Sequence, residues 1–299
     1  MTGAVIGVTV LSATGCGRIL GLSGRPASPA TASARAAASG AVPPSTASRL
    51  PAPSVSSPSP AVPSGSAPSG AVTGKGSGAG RLPLAGKVVA VDPGHNGGNF
   101  THLADIGRRI WNGREWEDCN TTGTATDGGY TEALFNFRVA TDLRADLLAD
   151  GARVVMTRTS NTGVGPCVNE RATFINDAHA NVGIAIHADG AAPSGRGFAV
   201  LVPVADGPND TIISSSLAFA DDVRAAMLAG TPLPVSSYDG TDGIQPRDDL
   251  AGLNLAEVPM VLIEVGNMRN ATDAALQTTS AFQQAVALAL SAAILRFLT

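Results

Sequence analysis

Along the chain, short unbroken apolar runs alternate with longer stretches in which apolar residues recur every three or four positions. The first pattern reads as buried strands and the second as amphipathic helices. The run Val88-Val89-Ala90-Val91 is closed by Asp92-Pro93-Gly94-His95, which predicts a strand over 87–91 with His95 just past its carboxyl end. Val182-Gly183-Ile184-Ala185-Ile186-His187 makes a second strand that ends in a histidine. A third, over 258–265, delivers Glu264. Further strands are expected over 152–157 and 197–203, with a short one and a turn within 244–254. Helices are expected over 130–150, where Leu134, Phe137, Ala140, Leu143 and Leu147 share a face, and over 169–179, where Ala172, Ile175 and Ala178 do. Two more are expected over 210–228 and over 280–298, the latter with Phe282, Val286, Leu290, Ile294 and Phe297 toward the core. Strands alternating with helices predict an α/β fold: a single domain with a mostly parallel twisted sheet covered by helices on both faces.

Two stretches break this rhythm. Residues 96–129 read as a long irregular loop, rich in Gly, Thr and Asn, that holds Trp111, Trp116 and Cys119. A loop of that length inside a compact domain is usually functional. The start of the chain is different again. Residues 1–24 carry an apolar stretch too short to span a bilayer and read as an export signal. Its small residues lead into Cys16 in a pattern that resembles a bacterial lipobox, with Ala13 where Leu is usual. Cys16 is then a lipid anchor, or else an unrelated cysteine in a frayed apolar tail. Residues 25–81 are Ala, Ser, Pro and Gly with almost no large apolar side chains, so they read as a disordered tether or a passive spacer. The folded domain is expected over 82–299.

Composition excludes some partners. The net charge of −4 is modest and no basic stripe is present, which speaks against nucleic acid. No internal repeat is visible, and a monomer is expected. An exported destination follows from the signal: the periplasm or cell envelope, or the extracellular space.

The candidate chemistry lies where the strands end, because ligand sites of open α/β sheets are built outside their carboxyl edge. His95, Glu132 and His187 offer two imidazoles and a carboxylate, the donor set of a catalytic zinc with one position open. Glu264 is a candidate for proton transfer to and from a water and a leaving nitrogen. Each residue also has an ordinary reading. A histidine at a strand end is commonly structural, and a glutamate in a helix's first turn suits the helix dipole. His102 and His179 read as surface histidines.

The ordered set of short motifs carries a resemblance. Asp92-Pro93-Gly94-His95, Glu132 with Asn136, Thr157-Arg158-Thr159, Glu170-Arg171-Ala172, Ile186-His187-Ala188 and Glu264-Val265-Gly266 with Asn270 follow one another from about residue 87 to the end. This resembles the zinc-dependent N-acetylmuramoyl-L-alanine amidases of the Amidase_3 family, most of all their mycobacterial and actinobacterial branch. The resemblance implies a phosphorylase/hydrolase-like α/β fold and one Zn2+ per chain held by His95, Glu132 and His187, with Glu264 as catalytic glutamate. It also implies hydrolysis of the amide between N-acetylmuramic acid and L-alanine in peptidoglycan or muropeptides. Asp189 and Asn267 depart from the family's usual Asn and Phe, which points to altered substrate contacts. The tryptophan-bearing loop resembles an insertion able to cover the cleft. Two other readings stay open at this stage: a catalytically silent wall-binding or regulatory module, and a zinc peptidase that cuts within the stem peptide. Once Cys16 is set aside with the signal, Cys119 and Cys167 remain, and in an exported domain a pair suggests a disulfide pinning that loop to the 169–179 helix, against two buried thiols.

Overall fold

The computed structural model describes residues 81–299. The expected export signal over 1–24, with Cys16, and all but the last residue of the expected tether over 25–81 lie outside the described residues. In chain order the elements are β1 (Val88–Pro93), α1 (Leu103–Ile106), β2 (Arg109–Trp111), β3 (Trp116–Asp118), α2 (Glu132–Ala149), β4 (Arg153–Met156) and α3 (Val168–Asp177). Then come β5 (Val182–Asp189), β6 (Ala199–Pro203), α4 (Ile213–Gly230), β7 (Ile244–Arg247), α5 (Ala251–Asn254), β8 (Met260–Asn267), α6 (Ala271–Gln277) and α7 (Ser280–Leu298).

Six strands form one sheet in the order β4-β1-β5-β8-β6-β7. The first four run parallel. β6 reverses against β8, and β7 follows β6 in parallel, so the mostly parallel sheet ends in a reversed pair. From β1 the chain crosses through α2 to β4 on one side, then returns through α3 to β5 on the other. That reversal makes the gap between β1 and β5 a topological switch point, where the two flanking loops part and leave a crevice.

Strand alternation sorts the side chains. Val89, Val91, Ile184, Ile186, Val261 and Ile263 face one layer, filled by α2, α4 and α7. Ala90, Ala185 and Leu262 face the other, where Ile175 of α3 and Leu253 of α5 cover them. His187 and Glu264 continue this second face toward the carboxyl edge. α7 is apolar and long enough to cross a membrane by length and composition. Here Phe282, Val286, Leu290 and Ile294 are buried in the core, as its spacing predicts.

Three expectations need correction. Residues 96–129 are not irregular throughout: they contain α1 and the antiparallel pair β2–β3. The core face of α2 is rotated from the predicted one. Phe135 and Val139 are buried, whereas Leu134 and Phe137 are only half-buried. Phe137 instead lies against a buried guanidinium, with Arg158 Cζ 5.0 Å from its ring centre. Finally, α6 was not expected. Its buried positions are the polar Asp273 and Gln277, so no apolar period announces it, while Asn270 caps it by accepting from Thr272 and Asp273 N–H groups.

Candidate active site

The sequence ends β1 with Pro93-Gly94-His95, and the backbone there makes a sharp departure from the sheet. Gly94 N–H still donates to Ile186 O at 2.9 Å, after which His95 takes a left-handed φ of 57°. A side chain on Gly94 would meet the His187 ring at 2.3 Å, so only glycine lets the two strands bring their histidines together. The two rings meet edge to face with centres 4.8 Å apart. Glu132 arrives from the first turn of α2, over the end of the sheet. Its Oε1 lies 3.1 Å from His95 Nε2 and 3.0 Å from His187 Nδ1.

His95 and Glu132 are held from behind. His95 Nδ1 faces Thr121 O at 3.2 Å, which favours the tautomer with its proton on Nδ1 and leaves the Nε2 lone pair free. Glu132 Oε2 accepts from Thr124 N–H at 2.9 Å. Its Oε1 accepts from Ala188 N–H at 3.2 Å and from Asn136 Nδ2 at 3.3 Å. Asn136, one turn along α2, also donates to Gly94 O at 3.3 Å and so ties the helix to the histidine turn.

Burial and charge set the protonation states. Burial alone would raise Glu132, but the two histidines outweigh it and hold the carboxyl well below its ordinary range. Burial opposes a charged His95, yet Glu132 wins and raises it. For His187 burial dominates and lowers it, which keeps the imidazole neutral. The ligand atoms of the three residues lie within 4.8 Å of one another. Two imidazole nitrogens and one ionised carboxylate, with His95 oriented by Thr121 and Glu132 by Thr124, Asn136 and Ala188, suit a borderline divalent cation such as zinc.

Glu264 is the direct partner of His187 across the β5–β8 ladder. Its Oε2 is sealed from solvent and has no hydrogen-bond partner among the described residues. Burial, reinforced by Glu132, Asp189 and Asp239, raises its pKa well above the ordinary carboxylate range. Neither arginine that could have braced it does so: Arg247 pairs with Asp249 and Arg269 with Asp127. His95, Glu132, His187 and Glu264 all line one open recess. A neighbouring cavity of about 170 Å3 shares His95 and His187 with it and has an apolar floor of Ala185, Met260, Leu262 and Leu253.

Two arginines of the ordered motifs, Arg158 and Arg171, to which the sequence assigned no role, support the histidine turn. Arg158 Nε donates to Pro93 O at 2.8 Å, and its Nη2 to Gly94 O at 3.1 Å. Arg171 donates from Nη1 to Pro93 O and from Nη2 to His95 O, both at 2.8 Å. Three consecutive carbonyls are thus gripped by two buried guanidiniums. Asp92, beneath them, accepts from Thr157 Oγ1 and Arg171. Burial and the nearby Arg171 lower Arg158 to about 9, so it is still charged near neutrality. The signal was available in sequence: Arg171 falls on the buried side of α3 beside Ala172 and Ile175, where a charge has no place without partners.

Other expectations sort as follows. His102 and His179 are exposed. Asp189 lines the open recess. Asn267 does not reach substrate space. It is fully buried, donates to Ala192 O and Gly195 O at 2.9 Å, and accepts from Ala191 and Arg269 N–H groups. An amide in place of an aromatic ring there ties the β5–β6 loop to the end of β8. Cys119 and Cys167 form the expected disulfide, which anchors the hairpin segment to the start of α3.

A switch-point crevice with an imidazole–carboxylate centre defines this chain as an α/β protein of hydrolase type whose donor set could hold a metal ion. A model of the N-acetylmuramoyl-L-alanine amidase family, Amidase_3, matches residues 89–296, and the chain belongs to that family. It is 41% identical over 216 residues to the N-acetylmuramoyl-L-alanine amidase Rv3717 of Mycobacterium tuberculosis, a match covering 72% of this chain and 88% of that protein. Among solved structures it resembles the amidase Ami1 of Mycobacterium smegmatis, with 42% identity and a TM-score of 0.68 over 72% of this chain and 98% of that one. The apo form of Ami1 from Mycobacterium abscessus gives the same TM-score at 38% identity, over 72% and 100% of the two chains. The chain is an amidase of this class.

Proposed function

We propose that the protein is a zinc enzyme of the cell envelope that releases stem peptides from peptidoglycan or its fragments by cutting between N-acetylmuramic acid and L-alanine. One zinc would be held by His95 Nε2, His187 Nδ1 and a Glu132 oxygen. When bound, it supplies Lewis acidity, polarising an amide carbonyl and making water easier to deprotonate. The single observation that carries the reading is the pairing of this donor set with Glu264, a recess-lining carboxyl on the adjacent strand whose Oε2 has no hydrogen-bond partner among the described residues.

The chain's own residues then divide the work. Glu132 stays ionised and His187 neutral, whereas His95, whose proton affinity Glu132 raises, would give up its Nε2 proton to coordinate. Thr121 O keeps the proton of His95 on Nδ1, away from the centre. Glu264 has a raised pKa and an unclaimed Oε2, and so can take a proton from the attacking water and return it to the leaving nitrogen.

We further propose that residues 1–24 direct export, that Cys16 anchors the protein to lipid, that 25–81 tether the domain and that 82–299 act as a monomer. The Cys119–Cys167 disulfide supports an oxidising destination.

Mass spectrometry of digested peptidoglycan tests the reaction. The expected products are peptides with a free L-alanine amino terminus and glycan with a free lactyl group. Cuts inside the stem peptide would reject it. Metal analysis should return about one zinc per chain. Undiminished zinc in the His95→Ala, His187→Ala variant would reject the ligand assignment.

A further inference from the structure

The chain has only two tryptophans, and both lie on the β2–β3 hairpin. Trp111 is 46% exposed and Trp116 61%. They are direct partners in the antiparallel ladder, so both side chains leave the same face. Their rings meet edge to face, with centres 5.9 Å apart. A ring that gives its edge keeps its own faces uncovered by its partner. The next pair on this face is Arg109 with Asp118, joined at 2.9 Å and so without net charge. The opposite face points inward: Ile110 is buried beside the disulfide, and Glu117 lines the cavity next to the two histidines.

The hairpin is fixed at both ends. Cys119, directly after β3, is bonded to Cys167. At the turn, Asn112 Oδ1 accepts from the N–H groups of Arg114 and Glu115, each at 2.8 Å, and Arg114 pairs with Asp206 at 3.0 Å. Two large aromatic rings are therefore held in water on a rigid support, where folding gains little from them. Such a surface marks contact with something else. Trp116 is also only five residues before Thr121, whose carbonyl faces His95. Extended chain of that length reaches at most about 18 Å.

We propose that Trp111 and Trp116 form a stacking platform for the sugar rings of a glycan strand whose stem peptide occupies the His95–Glu132–His187 site. The proposal rests on the amidase reading above. A pyranose ring offers a face of weakly positive C–H groups to the negative face of an indole. Its rim hydroxyls can bond to the neighbouring Arg109–Asp118 pair. The face carries no unpaired cation, so it does not suit a polyanion or an anionic lipid surface. The platform binds glycan, not peptide, and so favours polymer over small fragments.

Because these are the sole tryptophans, intrinsic fluorescence reports on the platform directly. Titration with a peptide-free N-acetylglucosamine tetrasaccharide should give a saturable change in indole emission. The Trp111→Ala, Trp116→Ala variant should lose about tenfold more kcat/KM on polymeric peptidoglycan than on muramyl dipeptide. Circular dichroism should show its fold intact. If wild-type protein cleaves muropeptides but its emission ignores the tetrasaccharide, and the variant loses equally on both substrates, the platform is overturned and the amidase reading stands. A response to phosphatidylglycerol vesicles, or to protein concentration, without one to the sugar also overturns it, in favour of a lipid surface or a second copy. If no substrate is cut at the muramyl–alanine bond, the amidase reading itself fails, whatever the fluorescence shows.

Discussion

His187 and Glu264 face each other across the parallel ladder of β5 and β8, and their surroundings drive them to opposite protonation behaviour. Burial keeps His187 neutral by lowering its pKa, whereas burial with Glu132 and Asp189 nearby makes Glu264 hold a proton more tightly. One ladder step therefore joins a ready metal donor to a proton carrier. Neighbouring titratable groups pushed apart in this way commonly divide ligand and acid/base roles.

A rate prediction follows for Glu264→Gln. The amide keeps the shape of the side chain but cannot take up a proton. Positioned acid/base groups contribute on the order of 100- to 10,000-fold. The variant is expected to fold, to bind zinc as wild type does and to turn over at least about 100-fold more slowly. Turnover close to wild type excludes Glu264 as the base; zinc lost together with rate makes it a ligand instead.

Arg171→Lys tests the support of the histidine turn. His95 sits in the left-handed region, which costs a non-glycine residue on the order of 1 kcal/mol or more and needs its surroundings to impose it. Lysine keeps a charge beside Asp92 but cannot reach both Pro93 O and His95 O, which the two guanidinium nitrogens now hold. Loss of such supporting bonds typically weakens metal affinity by about 10- to 100-fold. Chelator competition should show that loss with unchanged far-ultraviolet circular dichroism. Wild-type affinity would mean that the turn holds itself.

The hairpin's anchor predicts a stability loss. Cys119 and Cys167 close a sequence separation of 48 residues, for which the chain-entropy model gives about 4 kcal/mol, and measured values are commonly 2–4. The Cys119→Ala, Cys167→Ala variant should lose that order of stability in denaturant melts and be cut faster by protease within residues 96–129. In wild-type protein, thiol labelling under denaturing, non-reducing conditions should leave both cysteines unmodified; quantitative labelling of both rejects the bond.

Where a single local rule governs an element, the sequence predicts it closely. β1, β5 and β8 are apolar runs ended by Pro, Gly or a charged side chain, and they place His95, His187 and Glu264 at the expected edge. α7 matches its predicted span because its apolar face recurs without interruption. Polar burial hides the rest. Asp273 and Gln277 fold inward in α6, and although the place of Arg171 on the buried side of α3 calls for a partner, the backbone carbonyls that it and Arg158 serve carry no sequence mark. The hairpin was hidden for another reason. β2 and β3 have three residues each, too few for a visible alternation, and a distant disulfide holds them.

The stability of the metal-free protein should carry a pH signature from Glu264. Burial comes first among the causes that raise its pKa above the ordinary value of 4.5, and the charge of Glu132 second. A carboxyl group that binds its proton more tightly in the folded state than in the unfolded state favours folding fully below its unfolded pKa. That contribution is lost as pH rises through the folded pKa. Glutamine does not titrate and has no such loss. In chelator-treated protein, the Tm of Glu264→Gln relative to wild type should therefore climb as pH rises above the ordinary value of 4.5. Restoring zinc should shrink the climb, because a cation held by Glu132 cancels the charge that repels the Glu264 carboxylate. Thermal melts at a series of pH values, with and without metal, decide the matter. A flat difference between variant and wild type across that range would show that Glu264 titrates like an ordinary solvent-exposed acid, and the raised pKa on which its proton-carrying role depends would be lost with it.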